Sequence, residues 1–337
     1  MNLDVLWFVL IAILFIGYFF LEGFDFGVGM LLPFIGKNDT DRRVMINSIG
    51  PFWDGNEVWL ITAGGALFAA FPNWYATLFS GFYLALFLLL LALIARGVAF
   101  EFRGKEQNRT WRSVWDWLIV LGSVAPAFIW GVALADMLKG VPINASMNYV
   151  GTFFDLLSPY SVLVGAAVVL MFVLHGALFL SLKTEGDVQE RAEKAALRVG
   201  GPATTLLVIV VILSYFYTDI FRKMGIDPGP VPMIAGLALL SVRYFIGTKR
   251  YGWAFAMTGL TIALSTVTVF LGLFPRVMVS SLNPQWSLTV YNAASNHYSL
   301  VVMSIVAITL VPFVLAYQIW SYWTFRKRVS PTDHMDY

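Results

Sequence analysis

Long apolar runs punctuated by Gly, Pro, Asn and short charged clusters dominate the chain. A bilayer core about 30 Å thick takes roughly 20 apolar residues at 1.5 Å per residue. On that template the sequence predicts nine transmembrane helices, near residues 4–34, 52–71, 74–99, 113–138, 159–182, 197–220, 231–248, 252–274 and 299–325. Phe71-Pro72-Asn73-Trp74 leaves room for only a tight turn, so the second and third spans form an antiparallel hairpin. The N-terminal run lacks a basic start and a small-residue cleavage site and reads as a retained first span. No soluble domain and no short-period repeat interrupts the pattern.

Composition agrees: 59% of the 337 residues are hydrophobic and 12% charged, against about 25% charged in a soluble domain. The reading is therefore an all-α membrane protein, one integral domain over 1–337. It divides into five spans in 1–182, a polar cytoplasmic connection at 183–198 able to form a helix extension or a hinge, four spans in 199–325, and a tail at 326–337. Cytoplasmic loops collect Lys and Arg. With the N-terminus outside, only Lys139, Arg222, Lys223 and Arg276 of the 22 basic residues fall on the outer side; all others, including Arg42, Arg43, Arg96 and Lys183, fall inside, with a cytoplasmic C-terminus. Trp7, Trp74, Trp111, Trp115, Trp117, Trp320 and Trp323 lie near predicted span ends, where indoles favour the headgroup level. The net charge of +2 is too small to suggest a nucleic-acid partner, and the absence of cysteine excludes disulfides, thiolate metal sites and iron–sulfur clusters.

Acids at membrane depth are costly, about 2.5–3.5 kcal/mol on insertion scales, and are functional candidates for that reason. Glu22 and Asp25 lie in the first span, Asp54 and Glu57 at the start of the second. Each pair has i, i+3 spacing, which puts both members on one helix face. Antiparallel descent and ascent bring both pairs to the inner half of the membrane. Carboxylates gathered in low dielectric resist simultaneous ionisation, so the set could hold and release a proton. The alternative is that they are helix-end residues partnering Arg42, Arg43 or headgroup water, a reading that stays open most for Glu22 and Glu57. Gly23-x-x-x-Gly27 fits close helix packing. Of the three histidines, His334 is in the tail, His297 in the last outer loop, and His175 alone lies in a span; it reads as a hydrogen-bonded core residue, and no metal or catalytic set is evident.

These residues carry a resemblance. Glu22-Gly23-Phe24-Asp25-Phe26-Gly27-Val28-Gly29, Asn38-Asp39-Thr40-Asp41-Arg42-Arg43, and the run from Asn47 to Ala70 containing Trp53-Asp54-Gly55-Asn56-Glu57-Val58-Trp59 resemble subunit II of cytochrome bd-type quinol oxidases. Trp111-Arg112, Trp115-Asp116-Trp117, Gly131-Val132-Ala133 and Phe274-Pro275 extend it. The resemblance implies two four-helix groups with one peripheral helix, in a multi-pass protein of a bacterial or archaeal cytoplasmic membrane. It also implies a partner, subunit I, that holds two b haems and one d haem, with quinol as substrate and dioxygen reduced to water. This chain would bind no cofactor directly. A small single-span third subunit, membrane lipids and quinone are further partners it suggests. Acids matching Asp25 and Asp54 are expected to serve proton delivery from the cytoplasm, with Glu57 and Glu22 beside them. Gly23, Gly27, Trp53 and Trp59 are expected in packing or at an interface. Where the family often has Gln, this chain has Glu57. The rival readings are a proton-coupled secondary transporter and a haem enzyme in its own right.

Overall fold

The computed structural model describes residues 2–221 and 229–333. Its order is α1 (Leu3–Ile35), α2 (Asp39–Ile49), α3 (Trp53–Ala70), α4 (Pro72–Gly81), α5 (Tyr83–Phe102), α6 (Arg109–Lys139), α7 (Pro159–Lys183), α8 (Gly186–Tyr217), α9 (Val231–Gly247), α10 (Tyr251–Leu273), a hairpin of β1 (Arg276–Met278) and β2 (Leu288–Thr289), and α11 (His297–Thr324). Polar side chains at the expected punctuation points start the helices. Asn2, Asn38, Asn108, Ser158 and Asn296 each accept a backbone N–H of the first turn, and Gly140, at φ 98°, ends α6.

Among the described residues, seven helices (α1, α5, α6, α7, α8, α10 and α11) are long and apolar enough to cross a membrane. The other two predicted spans correspond to α3, of 18 residues and carrying Asp54 and Glu57, and to the shorter apolar α9. Two segments differ from expectation, and a third takes one of its two expected forms. The third span is two helices, broken at Phe82, where the Tyr149 ring lies against Gly81 and leaves no room for a Cβ. Residues 39–49, expected as a connection, form α2. The 183–198 segment is a helix extension, because α8 starts at Gly186 and runs on without interruption.

α1 is the central post. It packs against α3, α6, α7 and α10, while α5 pairs with α6, α7 with α8, and α9 with α10. Glycines allow the closest of these approaches. A Cβ on Gly27 would meet the backbone of Gly176 at 2.8 Å, so α1 and α7 touch main chain to main chain. Gly23 faces the Phe172 ring in the same seam. α11 packs against α3 and α1 and is peripheral, with Leu300 its one buried residue.

Two connections interlock over the end of the bundle that carries the α1 N-terminus. Val141 donates to Val279 O and Ser281 to Val141 O, both at 3.0 Å, and Arg276 forms a two-pronged pair with Asp219 at 2.7 and 2.8 Å. At the opposite end, ionic contacts join α2, α6 and α8. Asp116 accepts from Arg42 and Arg103, each at 2.6 Å; Asp39 accepts from Arg103 and Arg112, and Asp41 from Arg191. Arg222, Lys223 and His334 lie outside the described residues. The tryptophans divide. Trp117, Trp320 and Trp323 are exposed near helix ends, whereas Trp7 and Trp74 are buried, the former donating to Leu300 O and Ser304 Oγ.

Candidate functional site

The acids of α1 and α3 converge on a cation from a third helix. Arg96 of α5 is fully buried, its Nη1 2.8 Å from Glu57 Oε1 and 3.5 Å from Glu22 Oε2. The rings of Phe26 and Phe100 flank the guanidinium, 5.0 and 5.1 Å from it, and close it off from lipid. Asp25, one turn beyond Glu22 and also fully buried, accepts from Asn56 Nδ2 at 2.5 Å. Asn56 Oδ1 in turn accepts from the Tyr322 hydroxyl at 2.8 Å and from Gln318 Nε2 at 3.4 Å, both on α11. Gln318 Oε1 accepts from Trp59 Nε1 at 2.9 Å.

Several atoms here are buried with no hydrogen-bond partner among the described residues: both Glu22 oxygens, Asp25 Oδ1, and Arg96 Nε and Nη2. Tyr18 Oη and Trp130 Nε1 are buried beside each other, on rings 6.2 Å apart. Such a concentration is unusual, because buried polar groups are nearly always satisfied.

Three of the four expected acids meet at this site. Asp54 is exposed and forms no ion pair with Arg96, although it stands one turn before Glu57 on α3. The buried stripe of α3 is Asn56, Ala63, Leu67 and Ala70. At about 100° per residue Glu57 sits on the flank of that stripe and Asp54 almost opposite it. Spacing of i, i+3 put the two acids near one another on the helix surface without fixing which of them turns inward. The helix-end reading of Glu22 and Glu57 is also corrected, since Arg96 is their partner and Arg42 is engaged by Asp116. Trp53 packs on Phe100, with ring centroids 5.3 Å apart, and Trp59 covers Gly17.

Sequence reading missed Arg96, Asn56, Gln318 and Tyr322. Arg96 was visible as a cation inside an apolar run, Leu93-Ile94-Ala95-Arg96-Gly97-Val98, but it was counted only toward orientation. The uncharged three carried no signal apart from their position.

The histidine of α7 does not fit an axial haem ligand. His175 Nδ1 bonds Thr258 Oγ1 at 2.7 Å, and its ring stacks on Phe255 at 4.4 Å with Phe20 and Phe24 edge-on. Aromatic rings thus occupy the space a macrocycle would need. His297, the first residue of α11, is exposed and distant in the fold. A cavity of about 330 Å³ among α6 to α10 is lined almost wholly by apolar side chains, and none of the acids borders it.

The fold is that of a multi-pass helical membrane protein in which three carboxyls, one guanidinium and an amide gather at membrane depth. The family follows from comparison with known proteins. The sequence profile of cytochrome bd terminal oxidase subunit II matches residues 3–325, and the chain belongs to that family. It is 50% identical over 336 residues to cytochrome bd ubiquinol oxidase subunit 2 of Bacillus subtilis, covering 100% of this chain and 99% of that one. It is 38% identical over 365 residues to cytochrome bd-I ubiquinol oxidase subunit 2 of Escherichia coli K12, covering 98% and 96%. The fold is similar to the bd oxidase structure from Geobacillus thermodenitrificans, with TM-score 0.78, 18% identity, and 97% and 100% of the two chains covered. The chain is thus a subunit of a terminal oxidase in the bacterial inner membrane, and the transporter reading falls away.

Proposed function

We propose that this chain, paired with the haem-bearing subunit I of a quinol oxidase, delivers cytoplasmic protons toward the site of oxygen reduction through Glu22, Asp25 and Glu57. The single observation that carries the reading is the cluster at membrane depth in which Glu22 and Glu57 face Arg96 and Asp25, one turn further along α1, meets the Asn56 amide. One guanidinium cannot neutralise three carboxylates, so in low dielectric the group holds at least one proton in exchangeable form. Its unpartnered buried oxygens and nitrogens fit a lodging for water, the usual way such atoms are satisfied and a conductor between carboxyls.

The haems, two of b type and one of d type in subunit I, supply the electron transfer and the oxygen chemistry. Dioxygen takes up as many protons as electrons on its way to water. Protons drawn from the cytoplasm, with quinol oxidised on the outer side, then separate charge without a pump. Nine spans with the N-terminus outside put the acids on the inner half, and the inner-side excess of Lys and Arg supports that orientation. Asp54 is read as an entry or hand-over group. It stands on the exposed face of α3 together with Val58, Ile61, Gly65 and Phe68. A carboxylate exposed at the end of a span suits contact with subunit I better than contact with lipid. A third single-span subunit and bound lipid or quinone belong to the same proposal as further occupants of the exposed helices.

The test is Asp25→Asn in the purified two-subunit complex. Oxygen consumption with quinol should slow while assembly and the haem absorbance persist. Full turnover in that variant would remove Asp25 from the path, and loss of assembly would make it structural.

A further inference from the structure

α11 is the least buried helix of the protein, yet two of its side chains reach the most buried polar site. Gln318 and Tyr322, one turn apart, both donate to Asn56 Oδ1. The direction of these bonds is fixed from outside the acid group. An indole N–H can only donate, so Trp59 Nε1 requires an oxygen opposite it and turns Gln318 Oε1 toward itself. Gln318 Nε2 is thereby aimed at Asn56. With the Tyr322 hydroxyl donating to the same atom, the Asn56 amide has its oxygen engaged and its Nδ2 facing Asp25.

The Tyr322 ring is itself held. It stacks on Phe52 at 4.3 Å, nearly parallel, and the Lys183 ammonium lies 5.4 Å from the opposing Phe52 ring. Lys183 also donates to the carbonyls of Phe325 and Lys327, just past the end of α11, and the Lys183 carbonyl accepts from Val329 N at 2.8 Å. The end of α7 therefore clasps the end of α11, and the clasp sets the ring that sets the amide.

We propose that Tyr322, held through Phe52 by Lys183, is a positioning residue for Asp25: it locks the Asn56 amide so that a donor, not an acceptor, meets the carboxyl. An amide free to rotate would present Oδ1 to Asp25 for part of the time and disfavour its ionised form. The inference rests on the proton-path reading of Asp25.

The experiment is a double-mutant cycle in the assembled oxidase, using Tyr322→Phe, Asn56→Leu and the pair together. The Phe variant keeps the stack on Phe52 and loses only the hydroxyl. It should slow oxygen reduction about three- to tenfold, the range one hydrogen bond accounts for, and displace the pH–rate profile, with haem content unchanged. Asn56→Leu should slow it at least as much. The double variant should match Asn56→Leu alone, because Tyr322 acts only through that amide. Multiplying effects, a Tyr322→Phe enzyme with normal rate and pH profile, or failure of that variant to assemble would each overturn the proposal. Asp25→Asn separates the two readings. A slow Asp25 variant beside a normal Tyr322→Phe sinks this inference alone, whereas a fully active Asp25 variant sinks the proton path beneath it.

Discussion

Replacing Arg96 by Met keeps most of the side-chain volume between Phe26 and Phe100 and removes the only cation within reach of Glu22 and Glu57 among the described residues. Deleting one partner of a buried ion pair costs about 3–5 kcal/mol, because the stranded carboxylate must take up a proton, recruit water or stay uncompensated. At the unfolding entropy of globular domains, a chain this long changes by roughly 0.7 kcal/mol per degree, so the midpoint should fall about 4–7 °C. The measurement is thermal denaturation of the detergent-solubilised complex, followed by haem absorbance and near-UV circular dichroism. Adding Glu57→Gln to Arg96→Met removes one stranded charge and should recover part of the loss. Two results would refute the reasoning: an Arg96→Met complex melting with the unmodified one, or a double variant less stable than the single.

Gly27→Ala should destabilise by about 3 kcal/mol, the upper end for overpacking, because the new methyl meets the Gly176 backbone and the Phe172 carbonyl, and main chain cannot rotate away; a normal thermal midpoint for the Gly27→Ala variant would mean that α1 and α7 separate easily. Outside the spans, Thr152 N–H and Oγ1–H donate to Asp155 at 2.6 and 2.9 Å and hold its carboxyl below the usual range. A lowered folded-state value means that this capped turn over Phe153–Leu156 is fully stabilised above the ordinary aspartate pKa of about 3.9 and loses that contribution as pH falls through the lowered value. Hydrogen exchange at the Thr152 amide should follow that course, and Thr152→Val should move the transition to higher pH; an unchanged transition would dissociate the turn from Asp155.

Much of the fold was legible because lipid imposes a simple rule on sequence: apolar runs of a set length, punctuated by caps. Asn108 and Asn296, among the polar residues that punctuate those runs, cap the helices that follow them. What escaped prediction depends on contacts between distant segments. The third span breaks at Phe82, beside the Gly81 on which Tyr149 of another connection lies. Trp7 and Trp74 looked like headgroup anchors, but the former is bonded to α11, nearly three hundred residues later, and the latter packs on Phe8 and Phe71. The site divides in the same way. Glu22, Asp25 and Glu57 stand out because charge in an apolar run is costly, and so should Arg96 have stood out. Asp54 lies on the exposed side of α3, because periodicity gives relative angles while the inward direction is set by which residues the neighbouring helices accept.

Asn56 shows why the neutral members of the site matter as much as the charged ones. A second cation opposite Asp25 would pair it firmly and hold it ionised, and an apolar residue would leave its oxygen unsatisfied in a medium where that is expensive. An amide does neither. It offers one donor that favours the carboxylate without neutralising it, and the strength of that preference depends on how firmly the amide is held. The holding comes from α11, which has Leu300 as its only buried residue and is fastened mainly by side-chain bonds from Trp7, Trp59 and Lys183 and by the stack of Tyr322 on Phe52. A helix attached in this way transmits its position to Asp25 through the orientation of one amide. The acid on α1 is therefore tuned by the last helix of the chain, across 266 residues of sequence between Asn56 and Tyr322 and one hydrogen bond of 2.8 Å.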